Sequence, residues 1–188
     1  MSQIITIWSF HMSIPSRHAV PPRAISYRRT FFVTSSIHGK RSLLQSTRAA
    51  ELFLDVLYHY RARSSYQLHE FVIMPDHFHL LTTVAPNMTI EKAVQFIKGG
   101  FAFRAGRELG FRAPVWQKGF SEIRIVDQEA FANSRDYIRA NPIKRGLAVV
   151  ASEYAFSSAR PGFELDAPPQ WLKPTRETPN FGIAEAMP

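Results

Sequence analysis

No cysteine occurs among the 188 residues of the chain. Disulfide bridges, thiolate zinc sites and cysteine nucleophiles are therefore excluded, so any metal site has to use His, Asp, Glu or Asn side chains. A chain without cysteine also suits a reducing compartment, and we expect a cytoplasmic protein.

The chain also lacks an apolar run long enough to cross a bilayer. Its most apolar stretch, residues 4–10, is far shorter than the roughly 20 residues that a membrane helix needs. This stretch has neither a basic lead-in nor a small-residue cleavage site, so it does not resemble a secretion signal. We therefore expect no membrane partner.

Basic residues outnumber acidic ones, with 23 Lys and Arg against 15 Asp and Glu, which gives a formal net charge of +8. The whole excess lies in residues 1–150, whereas residues 151–188 contain more acidic than basic residues. A basic folded part indicates a polyanionic partner. DNA, RNA, ribosomes and anionic membranes all fit this description, so charge alone does not choose among them.

Hydrophobic periodicity predicts four strands and three helices. The strands are predicted over residues 30–38, 68–74, 77–84 and 122–126, and the helices over residues 46–62, 89–109 and 127–140. Gly99 and Gly100 are expected to weaken the second helix, and Pro142 to interrupt the end of the third. The order strand, helix, strand, strand, helix, strand is typical of a split-βαβ unit. We predict an α+β, ferredoxin-like fold, an antiparallel sheet with helices on one face.

The distribution of proline divides the chain into three segments. Residues 1–24 are predicted to form an N-terminal arm, since prolines and basic residues alternate there without a regular pattern. Residues 25–150 form the expected folded domain. Residues 151–188 contain nearly half of the prolines and are predicted to form an extended C-terminal tail.

Two histidines lie two positions apart on the third predicted strand. The side-chain period of a strand points His77 and His79 to one face and Phe78 to the other. Neighbouring neutral imidazoles are suited to chelating a metal ion. An isolated pair of this kind is more often part of a half-buried sheet face, so the spacing alone is a weak signal.

A second same-face pair lies on the third predicted helix. Tyr137 and Asn141 are four residues apart, which places them about one turn from each other on one side of the helix. They could share a site. A single helical tyrosine is more often a core or rim residue, and an asparagine before a proline often terminates a helix.

The sequence segments around both pairs carry more information than the pairs themselves. Residues 71–81 (FVIMPDHFHLL) and 136–147 (DYIRANPIKRGL) resemble the His-hydrophobic-His and tyrosine motifs of the single-tyrosine HUH transposases, especially the REP-associated tyrosine transposases. The similarity covers roughly residues 25–150 in matching order. It includes the segment from Trp116 to Phe120, which lies between the two motifs.

The resemblance implies an HUH nuclease core that uses a divalent metal, Mg²⁺ or Mn²⁺, on single-stranded or hairpin DNA. On this chain, His77 and His79 match the metal ligands and Tyr137 matches the nucleophile. Asn141 matches the polar residue that completes the metal site. Insertion-sequence members of the wider family have Gln at this place, and Asn offers the same carbonyl oxygen on a shorter arm.

The resemblance further implies a reaction in which Tyr137 becomes joined to a DNA 5′-phosphate and a 3′-hydroxyl is released. Such a reaction requires no nucleotide cofactor, which agrees with the lack of a Walker-type phosphate loop in the sequence. In some relatives the tyrosine helix is exchanged between two partners. The closer subfamily favours a monomer over a homodimer for this chain.

Twelve basic residues are candidates for contacts with the DNA backbone: Arg28, Arg29, Lys40, Arg41, Lys98, Arg104, Arg107, Lys118, Arg124, Arg139, Lys144 and Arg145. Two other functions remain open. One is a non-catalytic DNA-binding regulator of repeated hairpin elements. The other is an unrelated metallohydrolase that uses both histidines with Asp76 or Glu70 and hydrolyses its substrate without covalent attachment.

Overall fold

The computed structural model describes residues 28–174, so the whole of the expected N-terminal arm (residues 1–24) and the end of the expected tail lie outside the described residues. The elements in chain order are β1 (Arg29–Ser36), α1 (Thr47–Ala62), β2 (Tyr66–Met74), β3 (His77–Val84), α2 (Ile90–Leu109), β4 (Ser121–Ile125) and α3 (Gln128–Lys144). None of the helices in this part of the chain is long and apolar enough to span a membrane.

The four strands form one antiparallel sheet in the order β2-β3-β1-β4. This arrangement confirms the expected α+β, ferredoxin-like fold. Strand β3 is central, and all eight of its residues are buried. In the register of the sheet, His79 lies between Thr34 of β1 and Val72 of β2. The two histidines are therefore held on the most constrained strand of the sheet.

Both faces of the sheet are covered. Helices α1 and α2 pack on one face, where Phe53 contacts Phe78 and Phe101 with ring centroids 4.9 and 5.3 Å apart. Helix α3 lies on the opposite face, in a second apolar cluster formed by Val72, Met74, Leu81, Ile125, Phe131, Ile138 and Leu172. The one-face arrangement thus holds for α1 and α2. Successive residues of a strand point to opposite faces of the sheet, and in this protein the side chains on both faces are apolar. Helices α1 and α2 bury the side chains of one face, and α3 buries those of the other.

Each of the three helices begins where a polar side chain can cap it. The side chains of Ser46, Thr89 and Asp127 accept hydrogen bonds from the backbone N–H groups three residues later, over 3.3, 3.2 and 2.8 Å. These bonds satisfy donors that have no partner inside the helix. The predicted helix starts at residues 46, 89 and 127 are confirmed to within one residue.

The glycine pair in α2 neither ends nor breaks the helix, which continues to Leu109. A Cβ atom at Gly100 would lie 2.9 Å from the ring of Tyr60 in α1, closer than side-chain carbon atoms pack. Gly100 therefore permits the close approach of α1 and α2. The propensity cost of glycine is offset by this interhelical packing.

The expected end of the third helix at residue 140 is wrong, because α3 continues to Lys144 with Pro142 inside it. Proline removes one intrahelical hydrogen bond, but Ile138 and Pro142 are buried against the rest of the protein, which keeps this turn in place. The helix ends at Lys144, and Gly146 follows two residues later with a left-handed φ of 66°. Asn141 therefore stays on the same helix as Tyr137.

Residues 151–174 are attached to the domain and do not form a separate tail. Backbone hydrogen bonds join Ile73 to Phe156, Phe71 to Ser158 and Leu68 to Asp166, over 2.8 to 3.0 Å. They cover the outer edge of β2, which would otherwise present unpaired backbone groups. Proline content alone gave no sign of this pairing, because its donors and acceptors are backbone atoms.

Candidate active site

The two histidines of β3 lie side by side on the face that α3 covers. Their ring centroids are 4.8 Å apart and their planes are nearly perpendicular. His77 and His79 are 5 and 4% exposed. Phe78 points to the opposite core, as the strand period predicts.

The environment of His79 fixes which ring nitrogen can bind a ligand. Nδ1–H donates to the Thr34 hydroxyl over 2.7 Å, and Nε2 accepts a hydrogen bond from the Asn141 amide nitrogen over 3.2 Å. Burial, helped by the nearby His77, lowers the pKa of His79 to about 3. The imidazole is therefore neutral at physiological pH, with the lone pair of Nε2 facing α3.

His77 is oriented in the same way by its chain neighbour. Its Nδ1–H donates to the Asp76 carboxylate over 2.5 Å, and the amino group of Lys40 lies 3.6 Å from the other carboxylate oxygen. Burial lowers the pKa of His77, although the hydrogen bond to Asp76 opposes the shift. A carboxylate that holds Nδ1 and leaves Nε2 for the ligand is the usual second partner of a metal-binding histidine.

Asn141 supplies an oxygen atom beside these nitrogens. Its side chain is buried, and Oδ1 accepts no hydrogen bond from any described residue. A buried oxygen without a partner is costly, and a cation would satisfy it. Among the described residues no three His, Asp or Glu side chains converge on one point. Two neutral imidazole nitrogens and an amide oxygen nevertheless form a mixed donor set suited to a borderline divalent cation such as Mn²⁺, whereas the harder Mg²⁺ prefers oxygen ligands.

Tyr137 lies one turn before Asn141 and faces the same place. Its ring centroid is 5.3 Å from that of His79 and 5.7 Å from that of Phe32, edge-on in both cases. The ring is 38% exposed, and the Lys144 amino group lies 5.1 Å from its centroid. The two sequence pairs therefore meet within a single chain, and the tyrosine remains accessible from outside.

Two neighbours of this site carry no motif of their own. Phe32 stacks on His79 with ring centroids 5.3 Å apart, and Thr34 holds Nδ1 of the same ring. Both project from β1 towards β3. Only the strand register brings them to the histidine, so the sequence offers no signal that could have identified them.

Both acidic residues that a metallohydrolase could use have other partners. Asp76 accepts from His77, and the buried Glu70 accepts from Arg139 over 2.6 Å and from Ser158 over 2.5 Å. Glu70 thereby ties α3 to β2 and to the segment after residue 150. The sequence analysis missed this role of Glu70. It also proposed Arg139 as a DNA contact, whereas in the structure the Arg139 guanidinium is bound to Glu70.

The remaining basic candidates occupy several surfaces. Lys40, Lys144 and Arg145 lie around the site, where Arg145 acts electrostatically on both histidines. Others bond within the protein: Arg29 to the Met88 carbonyl, Arg41 to the Pro114 carbonyl, Lys98 to the carbonyls of Gln117 and Gly119, and Arg104 to Glu108. Arg107 lies over Phe103, Lys118 is exposed in the loop before β4, and Arg28 and Arg124 line a cleft beside β4.

Comparison with known proteins gives a consistent picture. A family model described as "Transposase IS200 like" matches residues 26–141. A Haemophilus influenzae protein named for the REP-associated tyrosine transposases is 31% identical over 96 residues, which are 46% of this chain and 54% of that protein. A REP-associated tyrosine transposase of Escherichia coli is 26% identical over 130 residues, 69% of this chain and 75% of the relative.

A solved structure has the same fold. It is a REP-associated tyrosine transposase bound to a REP hairpin, and it superposes with a TM-score of 0.63 at 22% identity. The alignment covers 86% of this chain and 94% of the other. The coverage reaches beyond the family-model match, into the segment that pairs with the edge of β2.

Proposed function

This chain belongs to the IS200-like transposase family, and from that premise we propose that it is a metal-dependent enzyme that nicks and joins single-stranded or hairpin DNA through a 5′-phosphotyrosine. Tyr137 is the proposed nucleophile. His77, His79 and Asn141 are the proposed metal-binding residues. The observation that carries the proposal is the placement of an accessible tyrosine directly against His79 and one helical turn from Asn141.

The proposed reaction exchanges one phosphodiester bond for another. The Tyr137 hydroxyl gives up its proton as its oxygen bonds to phosphorus, the bond from phosphorus to the 3′ oxygen breaks, and the leaving oxygen takes up a proton to become a 3′-hydroxyl. Attack of a 3′-hydroxyl on the phosphotyrosine reverses these steps and rejoins the strand. No nucleotide cofactor is needed, because the energy of the broken bond is retained in the new one.

The donor atoms of the proposed metal site are Nε2 of His77, Nε2 of His79 and the amide oxygen of Asn141. A divalent cation such as Mg²⁺ or Mn²⁺ would supply positive charge that polarises the phosphodiester and holds it for attack. The chain itself keeps both imidazoles neutral by burial and fixes their tautomers through Asp76 and Thr34. The amino group of Lys144 lies over the Tyr137 ring, where its positive charge can attract the anionic phosphodiester.

The proposed substrate follows from charge and from the relatives. The formal net charge of +8 suits a polyanion, and Lys40, Lys144 and Arg145 surround the site. One structural relative is described as bound to a REP hairpin. A hairpin with a single-stranded flank is therefore the first substrate to test.

The decisive experiment incubates the full chain with end-labelled hairpin oligonucleotides and Mn²⁺, followed by denaturing electrophoresis. We expect a protein–DNA adduct that resists the denaturant and disappears in Tyr137→Phe, while DNA binding is retained. Tyr58→Phe is a matched control, because Tyr58 lies on α1 and bonds to the Glu164 carbonyl. That variant should form the adduct normally.

Each alternative function has its own outcome. An adduct that persists in Tyr137→Phe would exclude this nucleophile. Cleavage without an adduct would favour the metallohydrolase, and binding without cleavage would favour a regulator of hairpin elements.

A further inference from the structure

A second cleft lies beside β4, apart from Tyr137 and the histidines. It has a volume of about 410 Å³ and is bounded by Arg28, Arg124, Trp171 and Lys173, with Ile125 and Leu172 among its apolar walls. This volume lies within the usual range of small-molecule sites. Every charged residue of the lining is basic. An anionic ligand with a flat apolar part would complement such a cleft.

The wall that carries Trp171 is held in place. Lys173 N–H donates to the Val126 carbonyl over 3.2 Å, and the Lys173 carbonyl accepts from Gln128 N–H over 2.9 Å. Leu172 is 6% exposed and packs in the second apolar cluster. Residues 170–172 form a turn and a bend, and in this segment Leu172 is buried whereas Trp171 and Lys173 are both exposed.

Trp171 remains 48% exposed, although its neighbour is buried. Single exposed apolar residues are common on protein surfaces. Here the indole shares one cleft with Arg28, Arg124 and Lys173, and the Arg124 guanidinium also lies 5.3 Å from the centre of the Phe31 ring. An aromatic platform beside cations is the usual composition of a single-strand binding site.

The cleft and the candidate active site border the same apolar cluster. Leu172 packs there with Ile138, which follows Tyr137 in α3. Phe32 packs against the same cluster and contacts both His79 and Tyr137. A DNA strand that leaves the active site along this face therefore has a basic, aromatic cleft in its path.

We infer that this cleft binds one nucleotide of the single-stranded flank of the DNA, with the base on Trp171 and a phosphate against Arg28 and Lys173. The inference rests on the proposed function for its choice of DNA as the ligand. It adds a role for the segment after residue 150, which is predominantly acidic in sequence but contributes Trp171 and Lys173 here.

The test measures equilibrium binding in a Tyr137→Phe background, so that no reaction is required. Two labelled oligonucleotides are compared, a blunt hairpin and the same hairpin with a single-stranded flank. Trp171→Ala should weaken binding of the flanked hairpin about tenfold and leave the blunt hairpin unchanged, since the variant loses the ring on which the base stacks. Trp171→Phe should retain most of the affinity.

Two further variants separate stacking from charge and from general surface effects. Lys173→Gln should lower the salt dependence of flanked-hairpin binding by about one phosphate contact. Phe103→Ala removes a more exposed aromatic on α2, also beside a cation, and should change neither affinity. Equal melting temperatures would show that the variants are folded.

Equal effects of Trp171→Ala on both oligonucleotides, or no effect on either, would overturn the inference. The absence of any effect on either oligonucleotide is also expected if the chain's own terminal residues occupy the cleft. If the wild-type chain forms no adduct while Trp171 still discriminates between the oligonucleotides, the proposed reaction fails and the nucleotide site stands.

Discussion

Buried histidines occur at both ends of the sheet face that α3 covers, and their surroundings differ. His69 is 3% exposed, close to the 4% of His79. Its Nδ1–H donates to the Asp166 carbonyl over 3.1 Å, and its Nε2 accepts from the Thr83 hydroxyl over 2.8 Å. Thr83 is in turn 2.8 Å from the Thr30 hydroxyl. At this end every ring nitrogen has a partner within the fold.

At the other end the partners of the ring nitrogens differ: Nε2 of His77 has no partner among the described residues, and Nε2 of His79 accepts only from the side-chain amide of Asn141. Asp76 and Thr34 hold Nδ1 of His77 and His79, and the Asn141 side chain that donates to Nε2 of His79 has an oxygen without a partner among the described residues. Burial lowers the pKa of all three histidines, so burial does not distinguish the two ends. What distinguishes the end with His77 and His79 is its set of metal-donor atoms that the fold leaves without full partners.

The largest expected effect is the loss of reaction on removing a proposed ligand. His79→Ala should lower the rate of adduct formation at saturating Mn²⁺ by more than about a hundredfold. The variant deletes a proposed metal ligand, and removing only a residue that orients such a ligand already costs about 10- to 100-fold. His69→Gln should leave the rate unchanged. Single-turnover adduct assays on both variants measure this contrast. Equal losses would mean that burial, and not the unsatisfied donor set around His79, is the relevant property.

The next effect concerns the groups that hold Nδ1. Asp76→Asn should raise the Mn²⁺ concentration needed for half-maximal rate by about 10- to 100-fold, since the carboxylate orients His77 and increases its basicity. Thr83→Val makes the corresponding change beside His69 and should leave the metal dependence as it is. A shift with Thr83→Val, or none with Asp76→Asn, would contradict the comparison.

A smaller effect is expected at the ion pair that links the two ends. Glu70 follows His69 in β2, and its partner Arg139 lies two residues after Tyr137. Arg139→Ala should lower the free energy of unfolding by about 2 kcal/mol, less than for a fully buried pair because Arg139 is half-exposed. It should also slow adduct formation through displacement of α3.

The double variant Glu70→Gln with Arg139→Ala is the matched control, because it removes the uncompensated carboxylate. It should recover part of the lost stability in urea unfolding. A double variant that is less stable than Arg139→Ala would show that Glu70 does not depend on this arginine.

The smallest expected effect is a change in acid stability. Burial lowers the pKa of His69 in the folded protein below its ordinary 6.5, so the unfolded chain binds a proton first as the pH falls. The stability that this neutral ring contributes is complete above pH 6.5 and is lost progressively below it. His69→Gln should therefore show a shallower loss of unfolding free energy between pH 7 and pH 5 than the parent. An unchanged slope would exclude His69 as a contributor.

Much of the fold was predictable, because its signals are local. The residue pattern predicted β3 as residues 77–84, and helical periodicity placed the helix starts at residues 46, 89 and 127, where the structure has the capping side chains. The signals failed where a distant contact outweighs a local preference. Pro142 is held in α3 by burial, and Gly100 fits against Tyr60 of another helix.

The residues of the candidate site also divide into those that local sequence signals predicted and those that only the tertiary structure brings together. Local periodicity placed His77 with His79 and Tyr137 with Asn141, and the structure has both pairs on common faces. The partners Phe32, Thr34 and Glu70 come from other strands, and their relation to the site depends on register. Register is set by the burial of whole strands, so a motif at one position cannot reveal it.

The sequence by itself therefore determined the order of the elements, the basic character of the folded part and the two residue pairs, since each depends on neighbours along one element. Only the tertiary structure decided that the pairs meet in one chain. Helix α3 crosses the sheet because Ile138 and Phe131 bury their side chains against Val72 and Leu81. That long-range burial brings Tyr137 to His79, and it also seats Leu172 so that Trp171 lines the cleft beside β4.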